Sequence, residues 1–150
     1  MLNAGGFSTS LLDTFGSKTA GLSSASTFVA PKSAAMTTYD NAMSSYAPKL
    51  LDPSDEIATA PYVAADEMIQ GLRLASPCPT RATFIRNLRQ VTDFTSSGLM
   101  APVDLSKPKK PQVCKNFVRV DPTGRGFSMV PPPAALNHAG FWCGQVLSGS

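Results

Sequence analysis

From residue 33 the apolar positions fall into a helical period. Met36, Tyr39, Met43 and Tyr46 stand three, seven and ten positions along from the first, a single stripe on a helix. Ser33 suits the N-cap, because its hydroxyl accepts from a backbone N–H of the first turn. Pro48 ends the run. A Met and Tyr stripe can line a ligand pocket, but this spacing is what any buried helix face needs, so core packing is expected. A second helix is predicted over 61–75, with Pro61 in its first turn, where a missing N–H costs nothing. Tyr62, Ala65, Ile69 and Leu72 form its apolar stripe, and Asp66, Glu67, Gln70 and Arg73 its wet side. The adjacent carboxylates Asp66 and Glu67 point to different azimuths, which fits a solvated face and not a catalytic pair. Their place near the N-terminus, with Arg73 near the C-terminus, suits the helix dipole. A third, short helix opens at Thr80 as N-cap, with Phe84, Ile85, Leu88 and Val91 apolar and Arg81, Arg86 and Arg89 around the rest. Such arginines serve either an anion or, more commonly, solvation.

On either side of these helices the period changes. A short helix, Ser10 to Phe15, stops at Gly16, and a small Ser-rich strand is expected from Gly21 to Phe28. Gly5-Gly6 reads as turn punctuation, since no Gly-Lys-Ser/Thr follows. From Leu99 a loop with Pro102, Pro108 and Pro111 shows no period. Val113 to Val120 then alternates as a strand, Asp121-Pro122-Thr123-Gly124 is a turn by composition, and Gly126 to Val130 returns as the second arm of a hairpin. Pro131-Pro132-Pro133 opens an extended tail ending Phe141-Trp142-Cys143-Gly144.

Composition narrows the class. The 150 residues are 43% hydrophobic, enough for a core, and only 15% charged, where about 25% is usual; part of the surface is expected to be covered. A net charge of +3 with scattered Lys and Arg does not suggest nucleic acid. No apolar run approaches the roughly 18 residues of a membrane span. The start, MLNAGGFSTS, lacks the basic and apolar regions of a signal peptide.

Little of the inventory carries chemistry. The lone histidine, His138, lies near Cys143 in a Pro/Ala/Gly-rich tail, and a Cys/His or Ser/His dyad would have to use it. The three cysteines, Cys78, Cys114 and Cys143, include no Cys-x-x-Cys pair of the kind zinc favours. No dinucleotide, P-loop or nucleophile-elbow motif is present. A non-enzymatic protein without cofactor or metal is expected.

The order of segments is informative: "STFVAPK", a helix ending "YAPKL", the helix "PYVAADEMIQGLRLA", then "CPTRATFIRNLRQVTDF", "GL" and "PVDL", then "CKNFVRVDPTGRGF". Over about residues 7–130 this resembles the C-terminal part of the leucine/isoleucine/valine-type periplasmic binding proteins, the solute receptors of ABC importers, and most closely the actinobacterial branch. The resemblance implies an α/β chain forming the C-terminal portion of a bilobal type I periplasmic-binding-protein fold. Residues 1–30 would be a second-lobe segment, 31–105 the helical segment of the first lobe, 106–130 a crossover and second-lobe hairpin, and 131–150 the extended tail. The family's first half, with its ligand-gripping Ser/Thr loops, is missing from this chain.

By the same resemblance the ligand is an amino acid or similar small polar solute. The protein partners are the membrane subunits of the importer, and the location is the extracellular side or cell envelope. Ligand contacts carry over to the start of the second helix, at Thr59, Ala60 or Tyr62. A disulfide is implied between Cys78 and Cys114, with the flanking Pro77 and Pro79 holding the thiol outward, worth about 3–4 kcal/mol in the chain-entropy model; Cys114–Cys143 stays open as the other pairing. The alternative function is a stand-alone interaction protein without a small ligand.

Overall fold

The computed structural model describes residues 2–3, 8–53, 55–75 and 77–146, and Gly5-Gly6 lies outside these. The chain is mixed α/β, with four α-helices, two short 3₁₀ helices and a small, mostly antiparallel sheet among the described residues. Strand β1 (Leu2–Asn3) is followed by α1 (Thr9–Phe15) and β2 (Ser23–Ser26). The helical layer consists of α2 (Ala34–Tyr46), α3 (Glu56–Leu74) and α4 (Arg81–Leu88). The chain then returns through β3 (Cys114–Val120), β4 (Phe127–Met129), β5 (Asn137–His138) and β6 (Phe141–Cys143). The strand order is β1-β2-β3-β6-β5, with β4 also paired to β3. β1 and β2 are parallel, and the other pairs are antiparallel.

Local signals place several elements. Ser33 caps α2 by accepting from Met36 N, and Met36 and Tyr39 are buried on its inner face. Thr80 and Thr83 form a reciprocal capping box at α4. In β3 the residues Asn116, Val118 and Val120 point inward, as the alternation requires, and Val120 pairs with Phe127 across the hairpin.

Four expectations are corrected. First, α3 starts at Glu56, capped by the Asp55 carboxylate, which accepts from Ile57 N at 2.8 Å. Pro61 therefore sits inside the helix. Its missing donor belongs to the Ile57 carbonyl, on a side open to solvent, so water can satisfy the orphaned acceptor. Second, α3 is turned. Thr59, Val63 and Gly71 are buried, while Tyr62, Ala65, Ile69 and Leu72 are exposed. Gly71 faces α4 closely enough that a Cβ there would overlap the Phe84 ring; this close approach fixes which side of α3 meets the layer. Third, Tyr46 lies outside the core, 89% exposed at the last position of α2. Fourth, the tail does not stay extended. β5 and β6 form a small hairpin, and β6 pairs with β3 at Cys114↔Cys143 and Lys115↔Trp142.

That register decides the disulfide. Cys114 and Cys143 are bonded, with their Cα atoms 4.0 Å apart, and Cys78 is a free, exposed thiol. The expected Cys78–Cys114 bridge is absent, since β6 brings Cys143 directly opposite Cys114.

The main core gathers where the helical layer meets the sheet. It comprises Phe28, Ala30, Met36, Tyr39, Val63, Phe94, Leu99 and Val118. Two connections join layer and sheet there. The outgoing one follows β2; the returning one precedes β3. They are paired with each other: Phe28 bridges Met100, and Val29 N donates to Leu99 O at 2.8 Å. Each carries a lysine in the left-handed region, Lys32 (φ 69) and Lys109 (φ 75).

Candidate functional site

The segment that holds Asp52 and Asp55 forms one wall of a groove. The end of α2 and the first turns of α3 supply the rest. Met43, Leu50, Asp52, Asp55, Ile57, Ala58 and Pro61 line a cavity of about 480 Å³, within the range of about 300–1,000 Å³ usual for small-molecule sites. Most of these groups are apolar, and the polar ones are carboxylates. Asp55 Oδ1 is engaged as the α3 cap.

Behind the groove lies a polar cluster. The Tyr39 hydroxyl donates to Pro53 O at 2.7 Å, which pins the loop to α2. Tyr62 packs edge-on against Tyr39, with ring centroids 4.9 Å apart. Burial pushes the Tyr39 phenol up, against the Thr59 hydroxyl beside it, and the nearby Asp40 carboxylate adds to the rise. Burial, with Asp52 nearby, also raises Asp40 above the usual carboxylate range. Asp40 Oδ1 is buried without a hydrogen-bond partner. Asp52 and Asp55 thus put two carboxylates on an otherwise apolar groove, a setting that suits a cationic group.

The expected contact residues are close to this groove but do not line it. Thr59 is fully buried and its hydroxyl donates to Asp55 O at 3.1 Å. Ala60 is exposed, and Tyr62 meets Tyr39 edge-on. Their neighbours Ile57, Ala58 and Pro61 line it instead, a displacement that follows from the earlier helix start. Asp52, Asp55 and Leu50 escaped the sequence reading, and Met43, on a stripe that could line a pocket, was assigned to core packing. The signal for Asp55 was an Asp directly before a helical run, overridden by the stronger-looking Pro61.

The first turn of α3 also touches the outgoing connection. Glu56 Oε1 accepts from Thr27 N at 3.1 Å, and Lys115 Nζ donates to Thr27 Oγ1 at 2.8 Å. Asn116, buried in β3, donates through Nδ2 to Phe28 O at 2.8 Å. The outgoing strand is thus gripped from α3 on one side and from β3 on the other.

Elsewhere, His138 is exposed on β5 and pairs across the hairpin with Phe141, and Cys143 is oxidised, so a His138–Cys143 dyad would hold no thiol. Among the described residues no group of three His, Cys, Asp or Glu side chains could hold a metal, and no helix is long and apolar enough to cross a membrane. Comparison with protein-family models, with curated proteins and with solved structures finds no match.

Proposed function

We propose that the chain is part of a solute-binding receptor of an ABC importer, the C-terminal portion of a bilobal type I periplasmic-binding-protein fold, and that it takes an apolar amino acid or a similar small amine. The observation that carries this reading is the pair of adjacent connections between helical layer and sheet, together with a groove on the helical layer. Two bodies joined by paired strands can close on a ligand through small backbone changes in those strands. In the groove, the Asp55 carboxylate receives the solute's ammonium group by a charge-assisted hydrogen bond, and Met43, Leu50, Ile57 and Pro61 form the apolar wall. On this reading the protein works at the cell envelope with the importer's membrane subunits.

The exposed apolar face of α3 supports a second component. Ile57, Met68, Ile69 and Leu72 are all more than two-fifths exposed. In the receptor reading this face packs on the sheet of a first lobe, which the chain does not contain. The same face also favours the second reading, an interaction protein with no small ligand. Titration separates them. L-Leucine added to ¹⁵N-labelled protein is expected to shift the amides of Asp55, Ile57 and Ala58 with a Kd of about 1–10 mM, roughly 3–4 kcal/mol of binding, weak because half the enclosure is lacking. N-Acetyl-leucine, without the ammonium group, is expected to leave them unmoved. Equal shifts with both, or none with either, would leave the interaction reading in place.

A further inference from the structure

Helix α1 is capped from far along the chain. Its own N-cap residue, Ser8, makes no side-chain cap bond. Instead Asp52 Oδ2 accepts from Thr9 N at 3.0 Å, Thr9 Oγ1 at 2.5 Å, Ser10 N at 3.3 Å and Ser8 Oγ at 3.5 Å. The partners are 42 to 44 residues apart in sequence. This single carboxylate oxygen joins the sheet-side helix to the loop that walls the groove. No residue of α1 belongs to the main apolar core; its buried Leu12 lies instead beside Gly16, Ser17 and the Thr123–Arg125 turn. The attachment of α1 to the helical layer is therefore polar, local and reversible, whereas the attachment at the paired connections is apolar and extensive.

We infer that Asp52 is a latch across the hinge: it holds the helical layer against α1, and the two bodies swing apart about the paired connections when it is released. The inference rests on the receptor reading for its purpose, because the latched loop carries groove residues Leu50 and Asp55. Its physical basis stands without that reading. A carboxylate receiving two backbone N–H groups and two hydroxyls is a strong charge-assisted contact, but one made by a part-buried side chain that water can replace. Release of this contact breaks hydrogen bonds and takes no residue of α1 out of the main apolar core, to which α1 does not belong.

The free Cys78 provides a labelling site on the helical layer, and Asp13→Cys adds one on the exposed side of α1. With spin labels on both and the native disulfide intact, the distance distribution in the parent protein is expected to be single and narrow. Asp52→Asn is expected to add a longer component, and to speed hydrogen exchange of the Thr9 and Ser10 amides about tenfold. Thr9→Val, which removes one donor from the other side, is expected to lengthen the distribution in the same direction, and it decides the matter if Asp52→Asn fails to fold. Leu51→Ser, a change at the fully exposed neighbour, is the control and is expected to change nothing. Distributions that stay the same in both Asp52→Asn and Thr9→Val overturn the latch. If they stay the same while leucine still shifts the groove amides, the latch falls and the receptor reading stands. If they broaden while no amino acid binds, the latch stands and the receptor reading falls.

Discussion

Reducing the Cys114–Cys143 disulfide is expected to lower stability by about 3.5 kcal/mol, a fall in Tm of roughly 7–14 °C for a chain of this size. The bridge spans 29 positions, and closing a loop of that length removes much conformational freedom from the unfolded chain in the chain-entropy model. The effect has a local reporter. Trp142 is the single tryptophan. Its indole N–H donates to Val130 O at 2.8 Å, and its ring meets Phe117 edge-on at 5.2 Å. β5 and β6 are too short to hold the sheet by hydrogen bonds alone, so reduction is expected to release the tail, and Trp142 emission moves to the red. Cys143→Ser reproduces both changes, and Cys78→Ser leaves stability within about 0.5 kcal/mol of the parent. A large loss from Cys78→Ser would place the bridge at Cys78 after all. Emission and Tm that ignore reduction would show that packing alone holds the tail.

Gly124→Ala is expected to destabilise by about 3 kcal/mol, read as a lower denaturation midpoint with an unchanged slope. Two costs add. Gly124 has φ 71, a left-handed conformation that costs an L-residue about 1–2 kcal/mol. A Cβ there would also overlap the Gly16 carbonyl and the Ser17 N. These are backbone atoms, so no side chain can rotate away. The turn is otherwise tightly held. Asp121 Oδ1 accepts from Thr123 N at 2.8 Å, Thr123 Oγ1 at 2.6 Å and Arg125 N at 3.3 Å. The Thr123 hydroxyl in particular lowers the Asp121 carboxyl below its ordinary value. A turn fixed this firmly cannot yield, and the end of α1 must move instead. Loss of less than about 0.5 kcal/mol would mean that the hairpin does not dock on α1.

What was legible in the sequence was what neighbouring residues decide among themselves. Ser33 and Thr80 were readable as caps because capping involves residues three apart. Alternation in β3 and the Asp-Pro-Thr-Gly turn were readable for the same reason. The face that α3 buries was not. Its apolar side is Tyr62, Ala65, Ile69 and Leu72, and periodicity assigns that side to a core. Which side meets the rest of the chain depends on what else is present to cover it, and in this chain the mixed side with Thr59, Val63 and Gly71 has the partners. The tail failed differently. Phe141–Cys143 is a strand of three residues between Gly140 and Gly144, too short to show a period, and the three prolines before it suggested an extended run. Once β6 is missed, the pairing of Cys143 is missed with it. The candidate site was half visible. Attention fell on the start of α3, within two or three residues of the groove. Asp52 stayed hidden because its partners are more than forty positions away.

The central claim is that helical layer and sheet are two bodies that close on a small amine through the paired connections. Hydrogen exchange of the whole chain, with and without saturating L-leucine, tests it most directly. The account predicts slower exchange in two places together: at Asp55 to Ala58 in the groove, and at Val29, Leu99 and Met100 in the connections. Unchanged exchange throughout, or protection confined to the exposed face of α3, would contradict it.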